Sequence, residues 1–532
     1  MLPLLALLPL SLFASVAVYY YFWNRSQYFK RREIPGPSPS SVFTGNLKEL
    51  QKDNAPPLRL VEWEKEYGET YGIFEGGNKT IVTSDLEILQ DIFFRKFENF
   101  YARKTNPVIP NNPDKHPRVN MFNARGLRWK RLRTITNPTF SASKLKAMEP
   151  TMQDSIRALM HQLEQKVDEP FDIYPLIQEL TLDVIERTAF GKKETQFGQG
   201  PNPFIEILRK FFNPPPITDG YMTSFFASTC EFLAFTTYIF KALILLHPSQ
   251  FRGFKAILDR LEPTVLARRQ EHAAATVGTD GDHKDFIDLF LNAEADEEDI
   301  KRMAEERYQD IERKHMKVDK KLTIPEIVGQ CFVFLVAGYD TTANTLAYLS
   351  YNLAVNENAQ NKLIAEIDDF LPTEDDITYE SVQNLTYLDW CMKENLRMNP
   401  LASFANQRLC MKGCTVGEQK LLVEEGVIVQ ANVWSIHYNK KIWGEDADIF
   451  RPERFDPETL SEPRHPLAWQ PFGAGPRICI GMRFALLEAK MTVCHLLKRF
   501  RIQKCDKTSL VRTGNLLLGP KDVTVILKKR TY

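Results

Sequence analysis

No two cysteines of this chain form a Cys-x-x-Cys pair, and neither sign of charge is in excess. The eight cysteines (Cys230, Cys331, Cys391, Cys410, Cys414, Cys479, Cys494 and Cys505) are scattered. Cys410 and Cys414 lie nearest to one another, and no histidine pair beside them completes a zinc pattern. The cysteines therefore read as mostly structural thiols in a reducing compartment. Lysine plus arginine total 68, as do aspartate plus glutamate, which argues against a nucleic-acid binder. No Gly-x-Gly-x-x-Gly follows a strand pattern, so no flavin or nicotinamide domain is encoded. At 532 residues the chain has length for several domains, although some enzyme folds run as long in one unit.

What is present begins with a loop near the C-terminus, Phe472-Gly473-Ala474-Gly475-Pro476-Arg477-Ile478-Cys479-Ile480-Gly481. Three glycines and a proline in so short a run cannot propagate a helix or central strand, so the backbone must turn tightly. Met482 to Phe500 follows as an apolar, buried helix. Cys479 thus sits at a helix N-terminus, where free N–H groups favour a thiolate. Phe472 is placed to cover the sulfur and Arg477 to supply a fixed cation. A shielded, electropositive cysteine suits a single thiolate ligand to a metal. The bland alternative is a buried cysteine after a Gly-rich turn.

At the other end, Met1 to Trp23 carries no charged side chain and as a helix spans roughly 34 Å. Tyr19-Tyr20-Tyr21-Phe22-Trp23 makes an interfacial belt, and Arg25, Lys30, Arg31 and Arg32 follow. Basic residues after a long apolar run read as a signal anchor, against the alternative of a cleaved signal peptide. Residues 24–40 are then a basic stop and a stiff proline-rich hinge, with Ile34-Pro35-Gly36-Pro37-Ser38-Pro39. Residues 41–532 form the one remaining domain, which would carry the chemistry of the Cys479 loop.

Within it, Tyr71–Glu75 and Lys79–Thr83 read as a hairpin around Gly76-Gly77. Residues 104–120 read as a long loop. In Gly126-Leu127-Arg128-Trp129-Lys130-Arg131-Leu132-Arg133, a helix puts Trp129 and Arg133 on one face. Two donors there suit a carboxylate; a solvated basic helix is the plainer reading. Arg128, Lys130 and Arg131 point elsewhere, as a basic docking surface for an acidic electron donor. Residues 201–247 are rich in phenylalanine, including Phe204, Phe211, Phe212, Phe225, Phe226, Phe232, Phe235 and Phe240. Glu231 and Lys241 would cost about 3 kcal/mol each in a second span. The better reading is a helix pair that roofs an apolar cavity and dips into the bilayer surface. Residues 294–321, dense in both charges, read as a solvated helix or linker.

Thr323-Ile324-Pro325-Glu326 is a helix start, with a Thr N-cap, Pro in the first turn and Glu three residues on. The helix runs to about Val355 and contains Ala337-Gly338-Tyr339-Asp340-Thr341-Thr342. Glycine costs about 1 kcal/mol there, which points to close approach of a flat ligand and a local opening of the backbone ladder. The alternative is a packing glycine. Glu394 and Arg397 share a helical face, and Pro452-Glu453-Arg454-Phe455 follows later.

These four motifs, in this order, resemble those of the cytochrome P-450 family, most closely the microsomal animal clan that handles xenobiotics. The resemblance implies a mainly α fold with a smaller β-rich part, one N-terminal transmembrane helix before it, and haem b held by Cys479 as axial thiolate. It implies haem contacts from Trp129, Arg133, Arg408, Phe472, Arg477 and Gly481, with Trp129, Arg133 and Arg408 on the propionates. Thr341 and Asp340 would serve oxygen activation and proton delivery, and Glu394, Arg397 and Arg454 a structural network behind the haem. Phe212, Ala337, Thr341, Phe404 and Leu517 would line the substrate pocket, together with Leu401, Ala402 and Ser403. The turn Gly514-Asn515-Leu516-Leu517-Leu518-Gly519 would return its tip to that pocket.

The implied activity inserts one atom of O2 into a lipophilic small molecule, whether xenobiotic, steroid or fatty-acid-like. Electrons would come from an NADPH-dependent cytochrome P-450 reductase, with cytochrome b5 as a second donor, and no nucleic acid takes part. The implied location is the endoplasmic reticulum membrane, single-pass, with the catalytic domain in the cytoplasm. A thiolate-haem isomerase of peroxides and a non-catalytic haem-binding protein are the rival readings.

Overall fold

The expected hairpin is present: Thr70–Glu75 pairs antiparallel with Asn78–Thr83 around a turn in which Gly76 has φ +60°. That left-handed conformation is open to glycine at little cost. Asn78–Thr83 continues in parallel to Ile428–Ala431, which pairs antiparallel with Gln407–Leu409, giving a four-stranded sheet. The structure, a computed structural model, describes residues 2–104, 116–195, 197–198, 202–212, 248–274, 285–293, 321–459, 462–514 and 517–530. Most of the loop expected over 104–120, the roof over 213–247, the charged run 294–320 and Cys230 lie outside the described residues. The chain divides into two compact units.

The first unit comprises Met1–Pro110, Pro214–Gln250 and Asn406–Ser435. It holds the four-stranded sheet and a 25-residue helix, α1 (Leu2–Ser26). Phe22 and Tyr19 of α1 meet Phe43, with ring centroids 5.1 and 6.5 Å apart. The proline-rich hinge is laid along the sheet: the Gly72 amide donates to the Pro35 carbonyl, and the Asn46 side chain donates to Pro37 and Ser38. Among the described residues no helix is long and apolar enough to cross a membrane; the side chains of residues 2–12 and 14 are not among those described.

The second unit, Asn111–Asn213, Phe251–Ala405 and Ile436–Tyr532, is mostly helical. Its framing helices are α2 (Gly126–Thr136), α3 (Ala142–Glu164), α4 (Tyr174–Phe190), α5 (Pro203–Phe212), α6 (Ile324–Val355), α7 (Thr386–Met398) and α8 (Met482–Arg499). The Thr323 capping box is fully formed: its hydroxyl accepts from the Glu326 amide, and the Glu326 carboxylate accepts from the Thr323 amide. The 32 residues of α6 extend about 48 Å. α4 packs along α6, and α3 packs on both α4 and α8. A Cβ on Gly338 would lie 3.0 Å from Ile185 Cδ1. The glycine therefore serves close helix–helix packing, and α6 runs through 337–342 without a break. The expected opening of the ladder is not seen. The Thr341 hydroxyl donates to the Ala337 carbonyl at 2.7 Å, a local bond that helical threonine makes without breaking the helix.

Candidate functional site

The Cys479 loop is built from its glycines outward. Gly473 and Gly475 have φ of +75° and +70°, so L side chains would be strained at both turns. The Cys479 amide donates to the Phe472 carbonyl at 2.9 Å, closing the loop on itself before α8 begins at Met482. Cys479 is exposed and in no disulfide, whereas Cys331, Cys391, Cys410 and Cys494 are buried. One expectation is corrected. The Phe472 ring packs against Trp469, centroids 6.2 Å apart, and the cysteine it was expected to cover is exposed. Gly481 is the helix N-cap with negative φ and has space around its Cα.

The loop is held by α2. Arg477 is buried, donates to the Ala124 carbonyl at 2.6 Å and stacks over the Trp129 ring at 4.5 Å. Arg133 donates to the Ile478 carbonyl at 2.9 Å. Burial depresses its pKa, and Cys479 pulls it the other way. Trp129, Arg133, Arg477 and Cys479 thus share one locality. Arg128 and Arg131 do not form a docking surface. Both are buried and clasp Glu326, with Arg128 Nε and Arg131 Nη2 each 2.8 Å from Oε1 and Arg131 Nη1 3.0 Å from Oε2. Only Lys130 of that trio is partly exposed. The correction has a simple cause: a helix with charge on every face must still bury one face, and here a carboxylate at the start of α6 waits on it.

Midway along α6, Asp340 is buried among neutral groups. Its Oδ1 lies 3.2 Å from the Tyr174 hydroxyl and 3.2 Å from Gln178 Nε2, and its Oδ2 lies 3.2 Å from Asn344 Nδ2. The Tyr174 hydroxyl is 2.6 Å from Asn344 Oδ1, and Arg209 Nε donates to Gln178 Oε1 at 3.1 Å. Burial pushes the Asp340 carboxyl up, with Gln178, Tyr174, Asn344 and Arg209 opposing. Tyr174, Gln178 and Asn344 were not singled out from sequence, although Asn344 stands one turn beyond Asp340, which is a readable signal. Phe212 stacks on Tyr339 with centroids 6.2 Å apart, and Ala337 is exposed.

Glu394, Arg397 and Arg454 are fully buried. Arg397 Nε and Nη2 reach Glu394 at 2.6 and 2.8 Å, and Arg454 Nε at 3.0 Å. Arg397 also donates to the His437 carbonyl, and Arg454 to the backbone of Trp443 and Asp446. In the terminal turn the Leu518 amide donates to the Leu401 carbonyl at 3.1 Å, and Tyr348 donates to the Leu518 carbonyl at 3.0 Å, while Asn515 and Leu516 lie outside the described residues. Leu517 and Phe404 are partly exposed. In the first unit, Arg408 is buried with its guanidinium 4.7 Å from the Phe93 centroid. Burial and the neighbouring Arg103 hold its pKa well below the usual value.

Among the described residues no three His, Cys, Asp or Glu side chains cluster as a metal cage. A lone outward thiol with arginines beside it instead fits a metal that arrives in its own organic ring and carries anionic groups. The comparisons agree. The Cytochrome P450 family model matches residues 35–527. The cytochrome P450 CYP13A2 of Caenorhabditis elegans is 38% identical over 528 residues, covering 98% of both chains. The nematode cyp-13B1 protein is 37% identical over 530 residues, again covering 98% of both chains. CYP13A8 of the same organism is 37% identical over 522 residues, 96% of this chain and 98% of its own. The chain belongs to the cytochrome P450 family, monooxygenases that bind haem through an axial cysteine thiolate.

Proposed function

We propose that this chain inserts one oxygen atom from O2 into a lipophilic small molecule, with electrons delivered by a separate NADPH-dependent flavoprotein reductase. The observation that carries the reading is the exposed Cys479 on a glycine-shaped loop that Arg133, Arg477 and Trp129 hold in place. When bound there, haem supplies the binding and activation of O2. Cys479 would hold its iron through the thiolate. Arg133 and Trp129 take one of its carboxylates. Arg477 braces the loop through Trp129. Phe212, Ala337, Phe404 and Leu517 give apolar surface to the substrate, which is why a lipophilic molecule fits.

Asp340 and Thr341 divide the proton work. Asp340 supplies a buried carboxyl whose pKa burial raises. Thr341 carries a hydroxyl that now donates to Ala337 and can turn to pass a hydrogen bond onward. α1 serves as a signal anchor in the endoplasmic reticulum membrane, its Tyr20 and Trp23 exposed at the end that Arg25 and residues 30–32 follow, and the remainder faces the cytoplasm.

The deciding experiment is the carbon monoxide difference spectrum of the reduced, purified protein. A strongly red-shifted Soret band that Cys479→Ser abolishes supports thiolate ligation. A band typical of histidine-ligated haem in the wild type would remove the chemical basis of the reading.

A further inference from the structure

Hydrogen-bond counting around Asp340 leads further than its burial alone. Tyr174, Asn344 and Asp340 form a closed ring of three polar contacts: Tyr174 hydroxyl to Asn344 Oδ1 at 2.6 Å, Asn344 Nδ2 to Asp340 Oδ2 at 3.2 Å, and Asp340 Oδ1 to the Tyr174 hydroxyl at 3.2 Å. Three contacts need three protons. The phenol offers one, and the amide offers one toward the carboxyl. The shortest contact takes the phenol proton, because two oxygens 2.6 Å apart without a hydrogen between them would repel. The remaining contact, between the phenol oxygen and Oδ1, then has a proton only if Asp340 carries it. Turning the Asn344 amide over does not remove the need. Nδ2 then donates to the phenol, the phenol to Oδ1, and Asn344 Oδ1 faces Oδ2 with a proton required on the carboxyl again.

The charge of Arg209 opposes the effect of burial on Asp340, but its hydrogen bond goes to Gln178 and not to the carboxyl. Gln178 presents Nε2 to Oδ1 because Arg209 occupies its Oε1. Arg209 is thus hydrogen-bonded to the carboxyl only by way of a neutral amide. The other ionisable groups that bear on Asp340, Tyr174, Tyr339 and Tyr348, are neutral phenols whose own pKa values burial raises. Asp340, Asn344 and Gln178 are 6%, 0% and 5% exposed, while Tyr174 is partly exposed. Tyr174 is therefore the one residue of the ring that is partly exposed.

We propose that Asp340 rests as the neutral carboxylic acid, donating to Tyr174, and that Tyr174 is the positioning residue through which the spent proton is returned from water. When the carboxyl gives its proton away, the ring is short by one. The Tyr174 O–H turns from Asn344 to the carboxylate, and one proton from solvent restores the set. One proton leaves and one enters, and no electron moves. This rests on the proposed role of Asp340 in proton delivery and assigns it a source.

Infrared difference spectroscopy of the resting, haem-loaded full chain at neutral pH tests it. The expected result is an exchangeable carboxylic C=O band that shifts in D2O, disappears in Asp340→Asn and moves in Asp340→Glu; the Glu variant keeps the assignment available if the amide variant does not fold. In Tyr174→Phe the band should persist but rise in frequency, because its O–H has lost its acceptor, and its deuterium exchange should slow severalfold. Absence of any acid band assignable to residue 340 overturns the neutral acid. An unmoved frequency or unchanged exchange in Tyr174→Phe overturns the role of the phenol. The band reports the proton whether or not substrate is oxidised, so failure of the monooxygenase reading leaves this test intact.

Discussion

Two carboxylic acids on the same helix are buried and yet their pKa values move in opposite directions. Glu326, in the first turn of α6, is clasped by Arg128 and Arg131 and by the Thr323 amide. Burial raises its pKa, but Arg131 and then Arg128 outweigh that, and the net direction is down. Asp340, four turns on, meets amides and a phenol, and burial wins. What lies beside a buried acid, and not the depth of its burial, decides whether it is a structural anion or a proton store.

The largest expected difference is in stability. Glu326→Ala strands two buried guanidiniums, and removal of one partner from a buried ion cluster costs about 3–5 kcal/mol. Denaturant midpoints at constant slope measure it; a loss under about 1 kcal/mol would mean the cluster is solvated and the contrast is void. Asp340→Asn replaces a neutral acid by a neutral amide of the same shape, so its cost should stay under about 1 kcal/mol. Its effect belongs in turnover. Reducing equivalents should pass to hydrogen peroxide instead of product, as they should in Thr341→Ala, and unchanged coupling in both variants would count against the acid–alcohol pair.

pH separates the two acids by sign. For Glu326 the folded pKa lies below the unfolded value of about 4.3. Its contribution is present above that pH and lost as the pH falls through the folded value. For Asp340 the folded pKa lies above the unfolded value of about 3.9. The native state then holds the extra proton, so this residue weakens the fold progressively as pH rises from there to its folded pKa. The stability gap between wild type and Asp340→Asn should therefore shift in favour of the variant with rising pH. A gap that stays flat from about pH 4 to pH 8 would mean Asp340 titrates normally.

The same contrast explains what could be read in advance. The capping box at Thr323 and Glu326, the Gly76-Gly77 hairpin, the packed α8 and the glycine turns before Cys479 are local, each fixed by a few adjacent residues whose backbone preferences agree. The partners of a buried charge are not local. Arg128 and Arg131 lie nearly 200 positions before Glu326, and no spacing rule joins them, so a basic helix reads as a surface. The Glu394 carboxylate shows the same limit: Arg397 is three residues away and visible, but only the family resemblance brought Arg454 to it. Phe472 shows another, since a ring two turns of loop from a thiol has more than one place to pack, and Trp469 took it.

The smallest effect sharpens the comparison where the two acids are joined. Gly338 sits between them on an unbroken helix, and a Cβ there would meet Ile185 Cδ1 at 3.0 Å and Cγ1 at 3.2 Å. Those atoms are the far end of a flexible side chain, so the neighbour can yield by a few tenths of an ångström. Alanine recovers about 1 kcal/mol of helix propensity, and the tight contact with α4 returns a cost of the same order. Gly338→Ala should therefore change stability by less than about 1 kcal/mol in either direction while leaving the Asp340 acid band in place. A loss of about 3 kcal/mol or more, the size of a badly overpacked core site, would show that α4 cannot move relative to α6. Tyr174 and Gln178 ride on that same α4, so the ring around Asp340 would then be fixed by helix packing as much as by its own hydrogen bonds.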